Sequence, residues 1–133
     1  MSQTTLDDLA RLLLRATLAI LIFFHGWAKI QNGIGGIEAM VAARGLPAFF
    51  ALGVYVGEVI APVLLLLGIF TRLGAGLILV NMLVAIALAH TGHLTEFTSG
   101  GGWRLELQAM FIVAALSIVL QGGGRYALTR RWN

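Results

Sequence analysis

Cysteine is absent from the 133-residue sequence. That removes thiol–disulfide redox chemistry, cysteine zinc sites and cysteine-held iron–sulfur clusters from the chemistry of this chain alone. Charge is nearly as scarce. Lys, Arg, Asp and Glu make up 11% of the residues, against ~25% in a soluble domain, too few to clothe a surface in water. Room is also lacking. The length allows a single domain, residues 1–133, and four membrane spans of ~20 residues each would consume most of it. These 133 residues leave no room for a separate soluble catalytic domain, so any chemistry of this stretch is expected among the spans or in their loops. The net charge of +3 is small and gives no nucleic-acid signal. No internal period of 20–50 residues marks a repeat array.

What is present is apolar: 59% of the residues are hydrophobic and the mean hydropathy is +0.90. Four apolar runs stand out, at approximately 9–30, 47–70, 73–89 and 105–120. At ~1.5 Å per residue each spans or nearly spans ~30 Å of hydrocarbon. The expected fold is therefore all-α, an integral membrane four-helix bundle. Gly33, Gly35 and Gly36 close the first run, and Gly45-Leu46-Pro47 opens the second. Between them Ile37, Met40 and Val41 fall at helical spacing, predicting a short interfacial helix. Gly68 with Thr71-Arg72 predicts a tight turn between the second and third spans.

Basic residues set the orientation. With the N-terminus inside, Arg11, Arg15, Arg72, Arg125, Arg130 and Arg131 lie inside, and Lys29, Arg44 and Arg104 outside. That bias predicts N-in, C-in under the positive-inside rule. A leader cleaved after Gly26-Trp27-Ala28 fits less well, because the first run is longer than a leader's apolar core. Trp27, Trp103, Trp132 and Tyr126 fall at expected interfaces as membrane anchors.

Ionisable groups within the bilayer carry the most information, since each costs at least ~2.5 kcal/mol at mid-depth unless paired or hydrated. Glu58 stands about 16 Å into its span, near the midplane. A lone carboxylate there calls for a bound proton or a cation partner. Pro62 has no N–H for the Glu58 carbonyl, which predicts a broken helix with a free acceptor beside the side chain. Gly53 and Gly57 give a small-xxx-small spacing for close helix approach. Glu58 is read either as a proton relay or ligand anchor, or as half of a structural pair with Arg15 or Lys29. Arg15 either snorkels to its interface or reaches toward Glu58. His25 and Lys29 share a helix face. In the N-in topology they meet His90, His93 and Glu106 near the outer boundary, as a polar pocket or as headgroup contacts. For His25 an interhelical hydrogen bond and a ligand contact are both open, and Asn81 reads as a helix–helix hydrogen bond. A haem held between His25 and His90 is the weaker cofactor reading. No metal motif is present.

The order Arg15, His25-Gly26-Trp27-Ala28-Lys29, Gly45-Leu46-Pro47, Gly57-Glu58, Leu67-Gly68-Ile69-Phe70-Thr71-Arg72 and Gly122-Gly123-Gly124-Arg125-Tyr126 resembles the DoxX family of small bacterial four-helix membrane proteins. The resemblance covers nearly the whole chain. It implies a multi-pass protein of the bacterial inner membrane. It also implies a membrane component or accessory subunit of a redox system, quinone-linked, working with partner oxidoreductase subunits rather than as a stand-alone enzyme. Matching the family pattern singles out Arg15, Gly26, Lys29, Glu58, Thr71, Arg72 and Glu106. Many members end in a Tyr-Ser-Leu-Asp-like tail. Here Tyr126-Ala127-Leu128-Thr129 lacks the acid, so a role for that carboxylate does not carry over. Two other classes stay open. One is a non-catalytic anchor or assembly factor. The other is a proton-coupled transporter of a small solute, for which four helices call for a homo-oligomer.

Overall fold

The computed structural model describes residues 1–130 and 133 and, among them, contains helices and no strand. Two expectations, Arg131 on the inner rim and Trp132 as an anchor, lie outside the described residues.

Helix α1 runs over Gln3–Asn32. It starts well ahead of the apolar run because the Ser2 side chain accepts from the Thr5 N–H at 3.3 Å and caps it. It stops where the Gly33 N–H turns back to the Lys29 carbonyl. The short α2, Gly35–Ala43, follows, where the sequence predicts an interfacial helix. α3 covers Ala48–Leu67, α4 Thr71–His93 and α5 Glu106–Gln121. α1, α3 and α4 are long and apolar enough to cross a membrane; α5 is apolar but shorter, at 16 residues. Two boundaries differ from the sequence expectation. α3 ends at Leu67 rather than Phe70, because Gly68 takes the left-handed conformation at φ 72°. α4 runs on to His93 through a wide turn at its end.

α1 packs on α3 and α5, and α4 on the same two helices. The shared core holds Leu18 and Ile22 from α1, Leu65 from α3, Ile78 and Met82 from α4, and Phe111 and Ile118 from α5. Alanines at 19, 61, 75 and 115 sit among them and let the backbones approach closely. A second, smaller cluster joins Ile34 and Val41 to Ala51, with Tyr55 and Leu88 against it, and so ties α2 to the start of α3 and the end of α4. The outer surface is apolar: Leu13, Phe24, Val80, Val113 and Leu120 are all exposed. Such a surface suits hydrocarbon rather than water.

The break predicted in α3 takes the form of a π turn. Over Val56–Ile60 the helix widens, and the Ala61 N–H reaches back five residues to the Val56 carbonyl. Glu58 lies in that turn. A second π turn, Ile86–His90, widens α4.

Candidate functional site

Glu58 is almost fully buried, and three helices converge on it. Lys29 on α1 donates from Nζ to Glu58 Oε2 at 2.5 Å, and Asn81 on α4 donates from Nδ2 to Oε1 at 3.1 Å. Of the two cations considered as partners, Lys29 is therefore the one that reaches the carboxylate. It turns inward instead of toward the headgroups. Its backbone carbonyl accepts from the Tyr55 hydroxyl at 3.3 Å, which ties the end of α1 to α3. Each carboxylate oxygen thus has a donor, as a buried charge requires.

Two glycines make this convergence possible. A Cβ on Gly26 would lie 2.1 Å from the Glu58 carbonyl oxygen, and one on Gly57 would lie 2.5 Å from Asn81 Cβ. Gly26 thus receives the carbonyl that Pro62 cannot serve, and Gly57 leaves space for the Asn81 side chain. Gly53 does not take the close-packing role its spacing predicts. Nothing lies within 4 Å of where its Cβ would be, because it faces an open cavity rather than a helix.

That cavity, about 640 Å³, lies between α2, α3 and α4. Its walls are apolar, with Met40, Val41, Phe50, Val54, Leu77, Val84 and Leu88 among them, and its polar lining is Lys29, Glu58 and Asn81. Both π turns contribute to it, Val56 to Glu58 from one and Leu88 and Ala89 from the other. Wide turns of this kind recur at functional sites. The volume falls in the range of small-molecule pockets, and an apolar enclosure with a few converging polar groups is their usual composition.

Arg15 lies elsewhere. It is 1% exposed and neither snorkels nor approaches Glu58. Its Nη1 donates to the carbonyls of Leu65 and Leu66, each at 2.8 Å, and Nη2 donates to Tyr126 O at 2.7 Å. It therefore serves the last turn of α3, sharing the Leu65 carbonyl with the Gly68 N–H, at the end where the helix runs out of backbone donors and its dipole favours a cation. The neighbouring carbonyls of Leu67 and Gly68 accept from the N–H groups of Leu128 and Thr129. Residues 126–129 so form a strap across the end of α3. Gly68 admits it, since a Cβ there would lie 2.6 Å from Ala127 Cα. Arg72 plays the matching role on α5, donating from Nη1 to Val119 O at 2.9 Å and from Nε to Asn133 O at 2.8 Å. Thr71, the neighbouring family-pattern residue, donates to Asn133 Oδ1. Asp8, which sequence reasoning passed over, is buried at the same end. It accepts from the Arg125 N–H at 3.1 Å and lies 3.7 Å from Arg11. An acid in the opening turns of an apolar helix was the available signal.

The remaining candidates do not join the Glu58 cluster. His25 is exposed and meets Phe111 edge-on, with ring centroids 6.1 Å apart. His90 pairs with His93, Nδ1 to Nδ1 at 3.2 Å. Glu106, the first residue of α5, is exposed and lies against Gly102 of the preceding loop. The outer pocket expected from these residues is thus dispersed, and the structure concentrates its polar groups at Lys29, Glu58 and Asn81. Among the described residues no cluster of three or more His, Asp or Glu side chains is placed to hold a metal.

A family model described as DoxX matches residues 10–91. An uncharacterized protein of Haemophilus influenzae is 30% identical over 122 residues, 90% of this chain and 87% of the relative. A Bacillus subtilis protein named "Putative oxidoreductase CatD" is 34% identical over 121 residues, 91% of this chain and 85% of the relative. No solved structure matches the chain.

Proposed function

The chain belongs to the DoxX family of membrane proteins, and from that premise we propose that it is a membrane component of a redox system, with a site for a lipid-borne quinone. In this reading α1, α3, α4 and α5 form a four-helix bundle, a single multi-pass domain over residues 1–133 of the bacterial inner membrane. Both termini face the cytoplasm, where the arginine-rich end meets anionic headgroups. The protein acts beside partner oxidoreductase subunits rather than alone. The name of the Bacillus relative points the same way.

One observation carries the proposal: an apolar cavity of about 640 Å³ bordered by half-buried Lys29 and Asn81, which converge on the buried Glu58. The residues present fit a quinone. The walls suit its ring and the start of an isoprenoid tail, and Lys29 offers a hydrogen-bond donor for a carbonyl. When bound, the quinone supplies a two-electron acceptor that also needs protons. The chain's own contribution is to exclude water with α2 and to hold ionisable groups where protons can be exchanged. Extraction of the purified protein with organic solvent, followed by chromatography, is expected to release quinone. Membranes lacking the protein are expected to reduce added quinone more slowly. No extracted quinone together with unchanged reduction rates defeats the proposal.

A further inference from the structure

We infer that the cavity selects an electrically neutral, lipid-soluble ligand with a carbonyl head, and that Lys29 is the residue touching that carbonyl while Glu58 and Asn81 position it. This deepens the quinone-linked reading and rests on it for the identity of the physiological ligand.

The selection follows from charge and donor arithmetic at one end of the cavity. Lys29 and Glu58 are the charged residues in its lining, so the pair leaves the enclosure neutral. A second anion, such as a fatty-acid carboxylate or a lipid phosphate, would stand beside Glu58 in apolar surroundings and compete with it for Lys29. A buried charge left without its own partner is strongly disfavoured. A neutral oxygen makes no such demand.

The donors point to the same group. An ammonium carries three N–H groups. Among the described residues the Lys29 side chain makes one hydrogen bond, to Glu58 Oε2, and it is 26% exposed and lines the cavity. Glu58 is the opposite case. Its side chain is 5% exposed, with Oε2 held by Lys29 and Oε1 by Asn81. The cluster therefore offers a ligand N–H donors on Lys29, and the carboxylate fixes where they point. The matching ligand atom is an uncharged acceptor, a carbonyl oxygen.

The mouth of the cavity indicates how the ligand arrives. Phe50, Val56, Val80 and Val84 line the cavity and are also exposed on the outer apolar surface. In a bilayer that opening faces hydrocarbon, so the head enters sideways and a long tail can remain in lipid.

The test uses the full-length protein in nanodiscs of neutral lipid, with decylubiquinone as probe and oleate as the anionic competitor, read by isothermal titration. Wild type is expected to bind decylubiquinone, and an equal concentration of oleate is expected to leave the isotherm unchanged. Lys29→Met, titrated where its helical circular dichroism matches wild type, is expected to weaken binding by at least about tenfold, the effect of losing one charge-assisted hydrogen bond. Lys29→Arg, which keeps the cation, is expected to retain most of it. Glu58→Gln leaves the ammonium unbalanced, so oleate is expected to become a competitor. A purely structural role for Glu58 would not reverse ligand preference. Displacement by oleate in wild type, wild-type affinity in Lys29→Met, or unchanged preference in a folded Glu58→Gln protein would overturn the inference. So would failure of both decylubiquinone and the neutral ketone 2-undecanone to bind. Unchanged quinone reduction in membranes lacking the protein overturns the redox proposal alone, and binding with the Lys29 and Glu58 signatures stands independently of it.

Discussion

Replacing Gly26 with alanine probes the closest helix contact of the site. The added methyl would sit 2.1 Å from the Glu58 carbonyl oxygen, 2.7 Å from its carbon and 2.9 Å from Val59 Cγ2. Ordinary contact begins near 3.4 Å, so α1 and α3 would have to part by about 1 Å. The two nearest atoms are backbone and cannot rotate aside. Parting the helices also stretches the Lys29–Glu58 hydrogen bond, 2.5 Å long in the intact protein. Overpacking a close-fitted core costs about 1–3 kcal/mol, and a rigid neighbour places this case at the upper end. Helix propensity acts in the opposite direction, favouring alanine over glycine by ~0.5–1 kcal/mol. The clash exceeds that gain, so the variant should be destabilised by about 2 kcal/mol. Gly76 is the internal control. It lies within α4 with nothing inside 4 Å of its would-be Cβ, so Gly76→Ala should be neutral or stabilising by up to ~1 kcal/mol. Thermal unfolding of both variants in one detergent reads the difference. A Gly26→Ala protein as stable as wild type would refute the close approach of α1 to the Glu58 carbonyl.

Two further perturbations address the charged groups. Lys29→Met should destabilise by about 3–5 kcal/mol by stranding the buried Glu58 carboxylate, and Glu58→Met by less, since Lys29 is partly exposed; the double variant should be distinctly milder than the sum. A double-mutant cycle in detergent-phase unfolding measures this, and simple additivity would count against a coupled pair. Arg15→Lys keeps the charge but not the forked geometry that serves Leu65, Leu66 and Tyr126 together. It should cost about 2 kcal/mol and expose the strap at 126–129 to earlier cleavage in limited proteolysis. A cleavage pattern identical to wild type would show that Arg15 does not retain the strap.

The chain's helical character was legible because hydropathy and glycine punctuation act locally. The three long apolar helices and the short α2 lie close to where those signals put them. The pairing of Glu58 was not legible, and the reason is geometric. Arg15 and Lys29 fall on nearly the same face of α1, about 21 Å apart along its axis, so periodicity alone offers either cation to α3. The choice depends on the antiparallel register of α1 against α3, which Gly26 fixes by admitting the Glu58 carbonyl. That register puts Lys29 at the carboxylate and carries Arg15 on to the end of α3, where it serves the terminal carbonyls of Leu65 and Leu66. A sequence displays residue types and spacing but not register, and here register separates a cavity-lining cation from a helix-capping one. The same limit explains Gly53, whose spacing to Gly57 suggests a helix seam although it faces the cavity. Two glycines four residues apart share a face of α3, but only a neighbouring helix makes that face a seam. α4 meets Gly57 through Asn81, and at Gly53 its place is taken by the space that α2 roofs over.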